Sequence, residues 1–309
     1  MASQGAKKVV YAALIGNFLI AVTKFIASAY TGSSAMVSEA VHSLVDTGNQ
    51  SLLLYGMKRA GRPADDRHPF GYAREVYFWA FVVAILIFAI GAGISLYAGV
   101  SKILNPRAIT NPMVNYAVLA AAMIFEAIAW YFAYREFEKQ RGPRGFIAEV
   151  RGSKDPTVFT VLFEDTAAMA GLIVALIGIW LTQYMGWEWA DGGASIVIGV
   201  ILGATAAILA YETKGLLIGE AASPEAMADV HAILAATPTI DNINEVRSLH
   251  LGPNDVLLAL SLEFRDDLDV NEVESAIFDI ETAITGKHPQ MGRIYIEVQS
   301  LRQHGAARG

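Results

Sequence analysis

Apolar positions gather into six long runs, at about residues 9–29, 34–57, 74–101, 112–134, 157–183 and 192–213. Each is near the roughly 20 residues that a helix needs to cross a bilayer core. The third is longer than a minimal span, so a helix there has to tilt or extend beyond the lipid. Asp155 followed by Pro156 supplies a cap and first position for the fifth helix, and Asp191, ahead of Gly192 and Gly193, is placed to cap the sixth. From about residue 215 the pattern changes. Ser223 and Pro224 open an amphipathic helix that runs to about Ala236. A strand is predicted over 243–251, then a turn at Gly252-Pro253-Asn254-Asp255. Val256, Leu258, Leu260, Leu262 and Phe264 then alternate with smaller or polar positions as a second strand. A helix over 270–285 and a strand over 293–298 complete an α-β-β-α-β order, which fits a small open sheet with helices on one face. The predicted architecture is an α-helical membrane protein: a six-helix transmembrane bundle over residues 1–214 and an α+β domain over 215–309.

Composition agrees. Hydrophobic residues make up 54% of the 309 and charged residues 17%, and the mean hydropathy is +0.40. A soluble globule is seldom so apolar. The formal net charge is −7 and the pI about 5.4, which argues against a nucleic-acid partner. With no cysteine, disulfides, thiolate metal ligands and redox dithiols are excluded. The first run follows Lys7 and Lys8 without a small-residue cleavage site and is read as a retained span rather than a signal peptide. Basic residues are unevenly placed. Lys7 and Lys8 precede the first run. Lys58, Arg59, Arg62, Arg67 and Arg74 lie between or at the edges of runs two and three. Arg135, Lys139, Arg141, Arg144, Arg151 and Lys154 lie between four and five, and Lys214 follows six. The opposite connections hold only Lys102 and Arg107. The positive-inside bias puts both termini in the cytoplasm, with the plasma (inner) membrane as the expected location.

Ionisable groups at bilayer depth are expensive and face protein or water. The second run holds Glu39, His42, Asp46, Asn49 and Gln50, whose spacings of three and four place them on one helical face. His42 and Asp46, at i and i+4, can aim a neutral imidazole and a carboxylate at one cation; the plainer reading is a His–Asp hydrogen bond joining two helices. The fifth run holds Glu164 and Asp165, which diverge by roughly 100° around the helix axis, and the fourth contributes Glu126. Three carboxylates and an imidazole meeting inside a bundle need a divalent cation or protons to relieve their repulsion.

The string S-E-A-V-H-S-L-V-D (38–46), the loop P-A-D-D-R-H-P-F-G-Y (63–72) and W-A-D-G-G-A-S (189–195) resemble the cation diffusion facilitators over nearly the whole chain. F-E-D-T-A-A-M (163–169), after D-P-T-V (155–158), is most similar to the divergent subgroup that contains the mitochondrial zinc transporter. The resemblance implies a proton-coupled divalent-metal exporter, not an enzyme. It would be a homodimer with six spans, a cytoplasmic ferredoxin-like domain and no organic cofactor. It also implies a central metal site made of His42 and Asp46 with Glu164, whose fourth position in the family's pattern is Ala168 here. Asp165, Glu126 or water could complete the coordination, with Glu39 and Asn49 as further auxiliary ligands or proton carriers. One nitrogen among several oxygens is a harder donor set than usual, so manganese and iron(II) stand beside zinc as cargo.

In the loop, Asp65 and His68 match two positions of a second site found in some relatives, and Tyr72 fills the third. Capping and loop packing are the expected roles there. Asn244, Ser261, Glu297 and Gln299 stand where some relatives bind a zinc cluster; no histidine is among them, and no cluster is expected. A proton-independent facilitator and a non-transporting metal-binding scaffold remain as alternative functions. No P-loop accompanies the spans, which disfavours an ATP-driven pump.

Overall fold

The computed structural model describes residues 4–106, 108–109, 111–141 and 154–308; the predicted loop cations Arg107, Arg144 and Arg151 lie outside these. The chain forms two compact units, Met1–Arg59 with Glu75–Lys214, and Ala60–Arg74 with Gly215–Gly309. All six apolar runs are helical: α1 (Gln4–Thr31), α2 (Ser34–Ala60), α3 (Glu75–Leu104), α4 (Pro112–Arg141), α5 (Pro156–Tyr184) and α6 (Ala190–Ile218).

Among the described residues, four helices are long and apolar enough to cross a membrane: α3, α4 over Pro112–Arg135, α5 over Phe159–Tyr184, and α6. α1 and α2 have comparable length, but the polar stripe lowers the apolar content of α2. The extra length of α3 contains a π-helical stretch at Ile87–Ala92, an insertion that bends a helix and recurs near functional sites. The side chain of Asp155 caps α5 by accepting from the Thr157 amide, and Pro156 takes the first position. Outward-facing Phe88, Ile124, Ile128, Phe132 and Ile177 are exposed, as lipid-facing positions should be. Inside, Phe159, Leu162, Leu172 and Ile179 of α5 are buried, as are Ile198, Leu202 and Leu209 of α6. α3 and α6 touch backbone to backbone, since a Cβ built on Gly99 would lie 2.6 Å from the Gly192 carbonyl oxygen. Small residues allow such close approach where lipid offers no hydrophobic drive between helices.

The second unit carries α7 (Pro224–Ala235), β1 (Ile240–Gly252), β2 (Asp255–Phe264), α8 (Val270–Lys287), β3 (Arg293–Val298) and α9 (Leu301–Arg308). The sheet order is β1-β2-β3, with β1 antiparallel and β3 parallel to β2. The alternation in β2 has its expected outcome: Val256, Leu258, Leu260, Leu262 and Phe264 are all buried, together with Val230 and Leu234 of α7 and Ala276, Ile280 and Ile284 of α8. Each large aliphatic side chain removed from water there contributes about 1.5–3 kcal/mol. Ser223 caps α7, and a capping box of Asp269 and Glu272 opens α8. The loop 60–74 belongs to this unit. The Arg293 guanidinium donates to the Phe70 carbonyl at 3.3 Å and lies 5.8 Å from that ring's centroid. A Cβ on Gly252 would meet the Ala73 Cβ at 2.5 Å.

Candidate metal centre

The polar face of α2 is buried as its spacing predicts. Glu39, His42, Asp46 and Asn49 are enclosed, and Gln50 is half-buried. His42 Nδ1 lies 3.4 Å from Asp46 Oδ1, yet neither ring nitrogen of His42 has a hydrogen-bond partner among the described residues. Asp46 Oδ1, Glu39 Oε1 and Asn49 Oδ1 are also buried without one. Unmet buried polar atoms are costly and call for a physical reason; here five of them line one helix face.

α5 supplies the facing group. Glu164 is buried and its Oε1 accepts from Asn49 Nδ2 at 2.8 Å. Asp46 feels the charges of Glu164, Glu126 and Asp165. The roughly 100° between neighbours separates Glu164, turned to α2, from Asp165, which lies within electrostatic reach of Glu126 on α4. Ala168 is buried and contributes no donor. Among the described residues, no three His, Asp or Glu side chains are gathered closely enough to hold an ion between them. His42, Asp46 and Glu164 therefore share a neighbourhood without forming a finished coordination shell.

One buried charge was not singled out from the sequence, and a second serves a different helix from the one expected. Lys24 of α1 is fully enclosed, ion-paired to Glu39 Oε2 at 3.0 Å and donating to Ser43 Oγ at 2.8 Å. The signal was available as a lone lysine inside the first apolar run, where a cation is expensive. Glu39 is thus occupied through one oxygen. The other is wedged against α5, where a Cβ on Gly171 would collide with it. Asp191 corrects the expected local cap. Its carboxylate accepts from Ser33 Oγ (2.6 Å), the Ser34 amide (2.7 Å), Ser34 Oγ (2.9 Å) and the Ala35 amide (3.3 Å). It caps the start of α2, a helix distant in sequence, with Lys102 Nζ 3.7 Å away.

In the loop, Asp65 accepts from the Arg67 and His68 amides and from the Tyr72 hydroxyl at 2.7 Å, and the His68 and Tyr72 rings lie 4.2 Å apart. The Tyr72 hydrogen bond, with help from the His68 amide, holds the Asp65 carboxyl below its ordinary range. In the second unit Ser261 pairs with Glu297 across β2 and β3, and Asn244 donates to the Gln299 carbonyl. α9, which the sequence pattern did not reveal, brings His304 to 3.3 Å from Ser261 Oγ and 3.1 Å from Gln299 Oε1. His250 is buried, with Nδ1 3.1 Å from the Gly252 carbonyl oxygen.

Apolar helices enclosing a row of carboxylates and one imidazole describe a polytopic membrane protein with ionisable groups on the inner faces of its helices. Residues 10–218 match the cation efflux transmembrane domain, and the chain belongs to the cation efflux family of integral membrane proteins. It is 32% identical over 295 residues to the Xenopus laevis protein named proton-coupled zinc antiporter SLC30A9, mitochondrial, covering 93% of this chain and 53% of that protein. Identity to the human protein of that name is 34% over 263 residues, 84% of this chain and 46% of the relative. The cation-efflux pump FieF of Escherichia coli is 25% identical over 272 residues, 88% of this chain and 85% of that protein. The chain spans about half the length of the SLC30A9 relatives it matches.

Proposed function

We propose that this protein exports a divalent cation, zinc first, in exchange for protons by alternating access. The observation that carries the reading is the row of unmet buried acceptors on α2 facing Glu164 of α5. Asp46 supplies the indispensable anionic ligand, His42 a neutral nitrogen and Glu164 the charge from the opposing helix. Asp165 and Glu126 act as auxiliary ligands or proton carriers. Protons arriving from the far side compete with the metal for His42 and the carboxylates, because these groups ligate only when deprotonated. One nitrogen among oxygens leaves manganese or iron(II) as the second cargo. α1 and α2 join the four apolar helices as spans. The basic connections support cytoplasmic termini in an inner membrane, and the Gly215–Gly309 tail serves as the regulatory and dimerising element. Support for proton exchange comes from the names of the SLC30A9 relatives.

The test is uptake of zinc, manganese, iron(II) and magnesium into proteoliposomes, with and without a pH gradient. Gradient-stimulated flux lost in Asp46→Ala is the expected result. No flux of any metal from folded, dimeric protein would instead favour the metal-binding scaffold.

A further inference from the structure

Lys24 is a cation seated against the polar face of α2. Its ammonium group is fully enclosed, held by Glu39 Oε2 at 3.0 Å and Ser43 Oγ at 2.8 Å. Its charge reaches His42, Asp46 and Glu126. Glu39 lies one helical turn from His42 on the same face, and its second oxygen has no hydrogen-bond partner among the described residues. Without Lys24 this carboxylate would be an additional hard oxygen donor beside the metal site, and an uncompensated buried charge that a divalent ion would relieve. The pairing partners sit on two different helices, α1 and α2, so the ion pair also fixes the position of the carboxylate. Gly171 restricts it further, because α5 leaves room for the Glu39 oxygen only where a side chain is missing.

We propose that Lys24 is a positioning residue that sets the charge and the number of ligands at the cargo site: by holding Glu39 it withholds an oxygen ligand, so the ion is bound loosely enough to be released. This rests on the transport reading above. Lys24 acts as a tethered resident cation; the transported ion meets one fewer negative charge than the number of carboxylates suggests. Removing the tether and removing its partner then have opposite effects on affinity, which simple structural damage would not produce.

The experiment measures zinc and manganese binding by calorimetry on purified full-length protein, and KM and kcat in proteoliposomes, for Lys24→Met, Glu39→Gln and the double variant. Lys24→Met should bind zinc about tenfold tighter, with KM and kcat both lowered and manganese gaining on zinc. Glu39→Gln, which leaves the ammonium unneutralised, should bind about tenfold more weakly. The double variant should fall between them. If Lys24→Met does not fold, weakening in Glu39→Gln with recovery in the double variant carries the same test. Two single variants that shift affinity in the same direction, or not at all, would overturn the role of Lys24 while leaving the transport reading intact. Wild-type protein that binds and moves no metal would overturn both.

Discussion

Replacing Asp191 with alanine deletes a carboxylate that accepts from two hydroxyls and two amides at the first turn of α2 and stands 3.7 Å from the buried Lys102 ammonium. Loss of a helix cap alone costs about 1–2 kcal/mol. Stranding Lys102, which among the described residues retains only the Gly32 carbonyl at 2.7 Å, raises the total to about 3–5 kcal/mol. Asp191→Asn keeps the shape and one carbonyl acceptor but loses the charge, so its cost should be about half as large. Adding Lys102→Met to Asp191→Ala removes the stranded cation and should recover about 1–2 kcal/mol, a coupling that a double-mutant cycle isolates. SDS unfolding in mixed micelles provides the assay, followed by tryptophan fluorescence from Trp187 and Trp189, whose stacked rings are 5.6 Å apart just ahead of α6. An Asp191→Ala protein within about 0.5 kcal/mol of wild type, the scatter of ordinary surface changes, would refute the trans-helix cap as a stabilising element.

Three further outcomes are expected. Ala168→Asp, one turn beyond Glu164 on α5, restores a second carboxylate at a buried position and should tighten zinc binding about tenfold or more in calorimetry. Unchanged affinity would show that this face of α5 does not meet the ion. Gly171→Ala forces a methyl group onto the Glu39 carboxylate and should destabilise the protein by about 1–3 kcal/mol in the same unfolding assay. At Asp65 the folded carboxyl titrates below the ordinary value of 3.8, so its contribution to loop order is present above that value and is lost as pH falls through the lower, folded one. Protection of the Arg67 and His68 amides from hydrogen exchange should follow that course, and Asp65→Ala should abolish the dependence.

Much of the architecture was legible because its signals are local. Apolar run length placed six helices, and alternation in β2 found the face that Leu258, Leu260 and Leu262 bury. The Asp155-Pro156 pair marked the start of α5. Spacings of three and four assembled the stripe from Glu39 to Asn49 before any neighbour was known. What failed to show was tertiary. Asp191 has the sequence of a local cap, but its carboxylate serves another helix, and no pattern within one segment encodes that choice. Lys24 is visible as a residue, while its partner fifteen positions away is fixed only by how α1 crosses α2. Glu164 and Asp165 could be separated by helical geometry, yet which of them turns to Asn49 depended on the packing of α5. α9 escaped because its segment, with its polar and small residues, lacks an apolar period.

The membership of residues 60–74 in the second unit changes what counts as a separable piece. The polypeptide passes between the two units three times, after Arg59, after Arg74 and after Lys214, so the unit that holds the sheet is stitched in and does not hang from a single thread. A protease cut near residue 215 would free one end of it and leave the 60–74 segment covalently joined to α2 and α3. A tail expressed from residue 215 onward would in turn lack Phe70 and Ala73. Arg293 would lose a carbonyl and an aromatic face, and Gly252 would lose the neighbour it packs against. Such a fragment would show solvent a patch that the intact chain keeps covered, and its self-association would be a poor guide to that of the whole protein.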